Sequence, residues 1–232
     1  MASTTSFEYV GSELTLFEKA VNWKRYWSAR IAPFVRGDVL EVGAGIGANT
    51  RVLTGLPHRT YTSLEPDAEL AAQIEIVNPA HSKLVGTLAG IPDRFDTILY
   101  IDVLEHIEDD HGEMARAAAH LNAGGHVIVL APAHASLYTP FDKAIGHFRR
   151  YSRATLAQTA RETALVPVKL EYLDSVGLLA SAANRLLLSQ SMPTEGQILT
   201  WDRLMVPVSR LLDPLLARRA GKSVLGVWRR EP

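Results

Sequence analysis

The residues best suited to hold a ligand form one short stretch, Val39-Leu-Glu-Val-Gly-Ala-Gly-Ile-Gly47. Its apolar part predicts a buried strand, and its glycines predict a tight turn into a helix. Glycines also let a ligand approach the backbone without meeting a Cβ atom. Glu65 ends the next predicted strand, where a carboxylate can accept both hydroxyls of an adenosine ribose. These features together indicate an adenosine-containing cofactor.

Glu41 distinguishes two classes of cofactor that this turn could bind. The spacing Gly43-x-Gly45-x-x-Ala48 also fits the dinucleotide fingerprint, so the glycines alone leave a nicotinamide oxidoreductase open. A dinucleotide site favours an apolar residue two positions before the first glycine. A carboxylate within an apolar strand costs free energy unless it is paired. The ammonium group of a sulfonium cofactor supplies such a partner. Glu41 therefore favours a sulfonium cofactor over a dinucleotide.

A second group of reactive side chains follows the fifth predicted strand, and it includes His134, Tyr138 and His147. A histidine can serve near neutral pH as the general base that a hydroxyl acceptor requires. We therefore take His147, His134 and Tyr138 as candidate catalytic residues. The alternative is a scaffolding role, in which Arg149, Arg150 and Tyr151 fix this loop to the edge of the sheet.

Alternating β-branched and helical patterns place these residues on a parallel sheet with crossover helices. The patterns predict strands at Asp38–Val42, Thr60–Glu65, Ser82–Val85, Phe95–Asp102, His126–Ala131, Val166–Leu173 and Ser223–Arg229. They predict helices near Ala48–Leu53, Asp67–Val77 and Asp109–Leu121, and one from the N-cap Ser152 to about Ala164. Ligands are expected at the carboxyl ends of the strands.

The glycine motif, the acidic end of the second strand and the stretch FDTILYIDVLEHIED (95–109) resemble class I S-adenosylmethionine-dependent methyltransferases. The last stretch is similar to the FDxVxxxxVLEHxxD segment of the ubiquinone-biosynthesis-like branch. Residues 146–151 resemble a GHxRRY segment of many bacterial members. The resemblance implies a Rossmann-like α/β sheet of seven strands in the order 3-2-1-4-5-7-6, with helices on both faces.

The resemblance also implies S-adenosylmethionine as the cofactor and assigns residues to it. They lie in the glycine turn, after strands two to four and in an N-terminal helix: Glu41, Gly43, Ala44, Gly45, Glu65, Pro66, Thr87, Leu88, Asp102, Val103, His106 and Tyr26. Thr87 departs from the acidic or amide side chain that the family usually places against the adenine amino group. His106 is either a base or a packed structural histidine. The histidines lack metal-site spacing, so no metal is expected.

Two segments lie outside the alternation, and both are expected to be helical. Residues 13–30 form an aromatic helix that is either a lid over the cofactor or a cover for an apolar sheet edge. Residues 174–222 are too long for a structureless loop and predict a helical insertion that lines the acceptor pocket. Its first helix, Val176–Leu188, is apolar almost all round. Its second has an apolar stripe, a kink at Pro207 and a new turn at Asp213-Pro214.

The basic residues that follow this stripe leave a second interpretation open. The insertion either covers the protein's own core, which we favour, or contacts a membrane surface. Basic side chains also cluster between residues 143 and 169, where they form either a solvated face or a site for an anionic acceptor.

Composition narrows the remaining possibilities. The 232 residues are expected to form one domain, with the core at 38–173 and 223–230, the lid at 13–30 and the insertion at 174–222. A net charge of −1 gives no general attraction to nucleic acid. The chain has no cysteine, which removes disulfides and thiolate chemistry. No secretory signal or membrane-length apolar run is present, so a cytoplasmic protein is expected.

We therefore predict a monomeric or homodimeric methyltransferase that acts on a small, hydrophobic or lipid-linked acceptor by in-line displacement. The apolar insertion favours such an acceptor. The alternatives are an RNA or protein methyltransferase, a non-catalytic subunit that binds the cofactor, and the nicotinamide oxidoreductase. The near-zero net charge and the absence of an Asn-Pro-Pro-Tyr-type motif count against a macromolecular acceptor.

Overall fold

A computed structural model describes residues 12–187 and 193–231 and places one seven-stranded sheet at their centre, in the order β3-β2-β1-β4-β5-β7-β6. The strands are β1 Asp38–Val42, β2 Thr60–Glu65, β3 His81–Val85, β4 Phe95–Ile101, β5 Leu121–Pro132, β6 Leu165–Leu173 and β7 Ser223–Arg230. β7 is antiparallel to both of its neighbours, whereas β1 to β5 pair in parallel. The predicted fold and strand order are confirmed.

Helices cover both faces of the sheet. They are α1 Ser12–Glu18, α2 Val21–Ile31, α3 Thr50–Leu53, α4 Ala68–Gln73, α5 Asp110–His120, α6 Pro140–Ala144, α7 Arg153–Gln158, α8 Ser175–Leu187, α9 Glu195–Thr200 and α10 Val206–Leu215. The N-terminal segment forms two helices rather than the single one predicted. Ser152 caps α7 as predicted, but this helix ends at Gln158, well before Ala164. Leu188, the predicted end of α8, lies outside the described residues.

The sheet separates two hydrophobic cores because alternate strand residues face opposite sides. In β1, Leu40 and Val42 belong to the core that α5 covers, whereas Val39 belongs to the core that α2 covers. Glu41 shares the side of Val39 and accepts a hydrogen bond from Tyr61 in that second core. The alternation of side chains along β1 therefore places Glu41 on the face of the sheet that α2 and α3 cover.

A π-helical turn, Trp201–Met205, joins α9 to α10. The sequence predicted a kink at Pro207. This residue lies in the first turn of α10 and has no backbone N–H, and the helix is irregular at the π turn directly before it. The predicted new turn at Asp213-Pro214 is wrong, because α10 continues through both residues. The side chain of Asp213 instead points inward and accepts hydrogen bonds from the backbone N–H groups of Asp174 (2.7 Å) and Ser175 (3.0 Å).

Two further buried aspartates fix the insertion to the rest of the fold. Asp174 adopts φ +69° and accepts the indole N–H of Trp201 at 2.7 Å. Asp202 accepts the backbone N–H groups of Asn22 (3.1 Å) and Trp23 (2.8 Å) at the start of α2. These charge-assisted bonds hold the insertion against α2 and the end of β6.

Candidate active site

A cavity of about 1240 Å³ lies at the carboxyl edge of the sheet. Its volume exceeds the ~300–1,000 Å³ of a typical small-molecule site. One half is lined by the glycine turn after β1 and by Glu65 after β2. The other half is lined by the loop between β5 and α7, by α8 and α9, and by the π turn, while α1 and α2 lie across both halves. The cavity therefore has room for a cofactor and an acceptor.

The glycine turn requires glycine for two separate reasons. Gly43 and Gly45 adopt φ +68° and +57°, which side chains rarely tolerate. A Cβ at Gly43 would also lie 2.7 Å from Cγ2 of Val103. The N–H of Gly45 donates to Oε2 of Glu65 at 2.8 Å, so the turn and the acid after β2 support each other.

Glu65 lies where an acid for the ribose hydroxyls was expected. Besides the bond from Gly45, its Oε1 accepts the backbone N–H of Asp67 at 3.1 Å. Burial raises the pKa of Glu65, and these two backbone bonds oppose the shift. Each carboxylate oxygen still has a lone pair for a ligand in the cavity, which Glu65 lines.

Glu41 is not among the residues that line the cavity, and its contact with the cofactor stays a prediction. Its Oε2 accepts hydrogen bonds from Thr50 Oγ1 at 2.5 Å, Tyr61 OH at 2.9 Å and Ser63 Oγ at 3.4 Å. Burial raises the pKa of Glu41 to about 7, against the opposing effect of these hydroxyls. The hydroxyls thus supply the partners that the strand carboxylate needs, and Glu41 braces α3 against β1 and β2.

The other predicted cofactor residues divide between the cavity and its surroundings. Those that line the cavity are Ala44, Asp102, Val103 and His106. Those that do not are Pro66, Thr87, Leu88 and Tyr26; Leu88 is a core residue.

Tyr26 connects α2 to the insertion. Its hydroxyl group donates to Asp213 at 2.6 Å and accepts from Arg218 at 2.6 Å. Lys24, two residues earlier on α2, does line the cavity, and burial lowers its pKa to about 8.

Asp102 directly follows β4 in a strained backbone conformation, with φ +56°. A left-handed conformation at a non-glycine residue persists only where the surrounding structure enforces it, and such residues concentrate at functional sites. The side chain is exposed to the cavity yet surrounded by protein. Burial therefore raises its pKa to about 6, against the opposing charges of His147 and Lys222.

His147 and Asp142 form a hydrogen-bonded pair in the half of the cavity that the loop between β5 and α7 lines. Nδ1 of His147 lies 2.8 Å from Oδ1 of Asp142. Arg150 donates to both oxygens of Asp142, at 2.7 and 2.9 Å. Burial would raise the pKa of Asp142, but the bonds from His147 and Arg150 outweigh it and hold that pKa well below its ordinary value. An ionised Asp142 only accepts, so Nδ1 carries a proton, and in the neutral form of the ring Nε2 then holds a lone pair.

Glu105 and His106 complete the surroundings of His147. Oε1 of Glu105 lies 3.8 Å from Nε2 of His147, and the rings of His106 and His147 meet edge to face at 4.5 Å. Within the described residues, neither carboxylate oxygen of Glu105 has a hydrogen-bond partner. Burial and the nearby Asp102 raise the pKa of Glu105 well above its ordinary value. These surroundings therefore favour the neutral form of the Glu105 carboxyl group.

These three residues also bring possible metal-binding atoms within 4.8 Å of one another, a grouping that their separation along the chain conceals. The 3.8 Å between Glu105 Oε1 and His147 Nε2 exceeds the roughly 3.4 Å that separates ligands of one tetrahedral ion. The absence of a metal requirement stays a prediction.

The other two candidate catalytic residues lie outside the cavity lining. Nε2 of His134 is 3.0 Å from the carbonyl oxygen of Gly221, and its ring stacks on Tyr172. Tyr138 donates to the carbonyl oxygen of His147 at 2.6 Å. His134 thus fixes the start of the loop, whereas Tyr138 positions the backbone of His147.

Asp142, Glu105 and Lys222 are site residues that the sequence analysis did not select. Asp142 occupies the third position of the capping box that begins at Thr139, a sequence signal that predicts its fixed orientation. Lys222 was counted among the basic residues of the C-terminal part, but it lines the cavity with Nζ 4.4 Å from the ring of Trp201. Burial lowers its pKa. The sequence at the start of β7 has no pattern that distinguishes a lysine facing the cavity from a lysine facing solvent.

The strand order, the glycine turn and the acid after β2 together define a Rossmann-like methyltransferase of class I. A family model described as a methyltransferase domain matches residues 19–170, more than half of the chain. The chain belongs to this family. No curated protein sequence matches the chain significantly.

Three solved structures with the same fold illustrate this similarity. A chain from a complex of the Haloferax volcanii Trm112 methyltransferase activator with a methyltransferase is 16% identical, with a TM-score of 0.64 over 93% of our chain and 94% of that chain. Haemonchus contortus phosphoethanolamine N-methyltransferase 2, bound to S-adenosyl-L-methionine, is 14% identical with a TM-score of 0.67 over 98% of our chain, which spans only 59% of that chain.

A third similar structure is geranyl diphosphate methyltransferase in complex with S-adenosylmethionine. It is 11% identical, with a TM-score of 0.65 over 97% of our chain and 93% of that chain. At these identities the likeness concerns the fold.

Proposed function

We propose that this methyltransferase transfers the methyl group of S-adenosylmethionine to a hydroxyl group of a small, apolar or lipid-linked acceptor, with His147 as the general base. The observation that carries the proposal is the pair formed by His147 and Asp142 in the acceptor half of the cavity, with Nδ1 and Oδ1 2.8 Å apart. An amine acceptor can attack with its own lone pair, whereas a hydroxyl becomes a strong nucleophile only when a base removes its proton.

The donor occupies the half of the cavity beside the glycine turn. Glu65 would accept its ribose hydroxyls, and the backbone from Gly43 to Gly45 would hold its methionine part. Of Lys24 and Tyr26, the two residues of α2 that could reach its carboxylate, Lys24 lines the cavity and would bind it. Two similar structures contain S-adenosylmethionine, which supports this choice of donor.

The acceptor oxygen loses its proton to Nε2 of His147 as it attacks the methyl carbon. The carbon–sulfur bond breaks in line with the attack, and S-adenosylhomocysteine leaves with the electron pair on sulfur. Asp142 accepts the N–H at Nδ1 and stabilises the imidazolium that forms, while Arg150 keeps Asp142 ionised. The proton then passes from His147 to solvent.

The lining of the acceptor half favours an apolar molecule. It includes the side chains of Trp23, Trp27, Phe141 and Trp201, together with Met205. Aromatic rings exclude water and offer apolar contact area, so positioning and desolvation both contribute to the rate.

The test compares two histidine variants on a panel of phenolic and isoprenoid-linked alcohols with methyl-labelled donor. His147→Gln should lower kcat by about 10²–10⁴-fold, the usual contribution of a general base. His134→Gln is the matched control, because His134 lies outside the cavity lining, and it should retain the wild-type rate. Calorimetry with S-adenosylhomocysteine should give equal affinities for both variants. A His147→Gln enzyme as fast as the wild type would refute the role of His147.

A further inference from the structure

Helix α10 exposes most of its apolar side chains and buries two polar ones. The side chains that it buries include Ser209 and Asp213, both 0% exposed. Five of the outward positions, at helical spacing through the π turn and α10, are apolar: Leu204, Val208, Leu211, Leu212 and Leu215. A helix that only covered its own core would place the leucines inward.

These outward side chains form a continuous apolar strip, which also includes Leu216 after the end of α10. Leu204, Leu211 and Leu215 are 64%, 74% and 81% exposed. Leu179 on α8, which packs beside α10, is 71% exposed as well. Scattered exposed leucines are ordinary, but a contiguous row on one helix marks a surface that binds another apolar phase.

The charges around the strip are of one sign. Arg203, Arg210 and Arg219 are exposed, and within the described chain none of the three forms an ion pair. The two acids of the same segment, Asp202 and Asp213, are 2% and 0% exposed and serve as internal hydrogen-bond acceptors. The outward surface of residues 201–219 therefore carries leucines and arginines without an exposed carboxylate, which complements an anionic lipid surface.

We propose that this strip docks the protein on an anionic membrane surface, with the leucines in the interface and the arginines at the headgroups. The contact is peripheral, since no helix of the described residues is long and apolar enough to cross a membrane. The docking elements also line the cavity, through Ala180 and Ser181 of α8 and Met205 of the π turn. A docked protein therefore holds its acceptor pocket beside the lipid.

The experiment is co-sedimentation of the full chain with vesicles of phosphatidylglycerol and phosphatidylcholine, and with vesicles of phosphatidylcholine alone. We expect binding to the anionic vesicles that is at least tenfold stronger and that weakens as salt is raised. The double variant L211S/L215S should lose at least tenfold in partitioning, because two exposed leucines no longer enter the interface. R203Q/R210Q should bind both types of vesicle alike.

The matched control is Leu84→Ser, which removes a half-exposed leucine of β3, the strand at the opposite edge of the sheet. This variant should leave binding unchanged. The far-ultraviolet circular dichroism of each variant verifies that it folds.

Sedimentation velocity tests whether a second copy of this chain, rather than a membrane, covers the strip. A wild-type dimer that L211S/L215S converts to monomer, without vesicle binding, would overturn the proposal, as would equal binding to neutral and anionic vesicles. The readout involves no methyl transfer, so it does not depend on the proposed function.

Discussion

The carboxyl group of Glu41 couples the stability of the fold to pH. It is fully buried among three hydroxyl groups, and burial raises its pKa to about 7 from an ordinary value of 4.5. Between these values the unfolded chain ionises while the folded chain keeps the proton. The folded state binds more protons, so its free energy of unfolding falls as pH rises through this window, by roughly 3 kcal/mol in total.

Replacing Glu41 by Gln should remove this dependence, because an amide oxygen still accepts from the hydroxyls but never ionises. Relative to the wild type, the free energy of unfolding of Glu41→Gln should therefore rise by roughly 3 kcal/mol from pH 4 to pH 8. Urea denaturation across that range measures the difference. A difference between variant and wild type that stays constant with pH would mean that Glu41 is not a buried neutral acid.

Glu65 carries a prediction about cofactor affinity. It lines the cavity and accepts the N–H of Gly45, so removing it deletes a charge-assisted contact with the ribose and loosens the turn. Glu65→Ala should weaken binding of S-adenosylhomocysteine by about 1.5–3 kcal/mol, measured by calorimetry. Glu69→Ala, an exposed acid of α4, is the control. Unchanged affinity in the Glu65 variant would place the ribose elsewhere.

At the scale of elements, we expect the π turn to affect the binding of the acceptor and not that of the cofactor. Met205 lines the cavity, and α8, α9 and this turn line its acceptor half. Met205→Ala should raise KM for an apolar acceptor several-fold by removing contact area, while the affinity for S-adenosylhomocysteine stays within twofold. Trp201→Ala is a poorer test, because its indole also donates to the buried Asp174. Equal losses for both ligands in Met205→Ala would make the turn a structural support only.

The strands were predictable because β1, β2 and β4 combine apolar β-branched runs with turn residues that delimit them. β1 and β2 begin and end where the sequence placed them. Helix ends were less predictable: α4 ends at Gln73, four residues before Val77, because the segment that follows supports no further turn of helix. In the GHxRRY segment, His147 and Arg150 both reach Asp142, and Arg149 and Tyr151 both reach Asp110, which are contacts of the scaffolding kind. A catalytic role for His147 stays a prediction.

The directions in which side chains of the site face were harder to predict from the sequence. The glycine turn fixes its own geometry through positive φ, so it could be placed by residue type alone. The side of the sheet that Glu41 faces depends on the pleat of β1 and on hydroxyls from α3 and β2. His134 and His147 differ in role only because one meets a backbone carbonyl and the other a carboxylate across the loop. Such partners are set by tertiary packing.

For the whole molecule, ligand binding should raise thermal stability, because α1, α2, the sheet edge and the insertion all border one cavity. S-adenosylhomocysteine at a hundred times its Kd should add about 2.7 kcal/mol, which corresponds to a rise in Tm of about 5–10 °C. NADH at the same concentration should leave Tm unchanged, and differential scanning fluorimetry compares the two. A shift with NADH instead would restore the dinucleotide interpretation of the glycine turn.

The bonds between Asp202 and the start of α2 have a consequence for the order in which the chain folds. Ala20 gives α2 no side-chain cap, and the carboxylate that accepts the N–H groups of Asn22 and Trp23 belongs to a residue about 180 positions later. During synthesis, β1 to β5 have emerged long before that carboxylate exists. Pairings of such long range are slow to close. Until Asp202 has been made, the nascent chain therefore carries its central strands together with an α2 whose first N–H groups lack this partner.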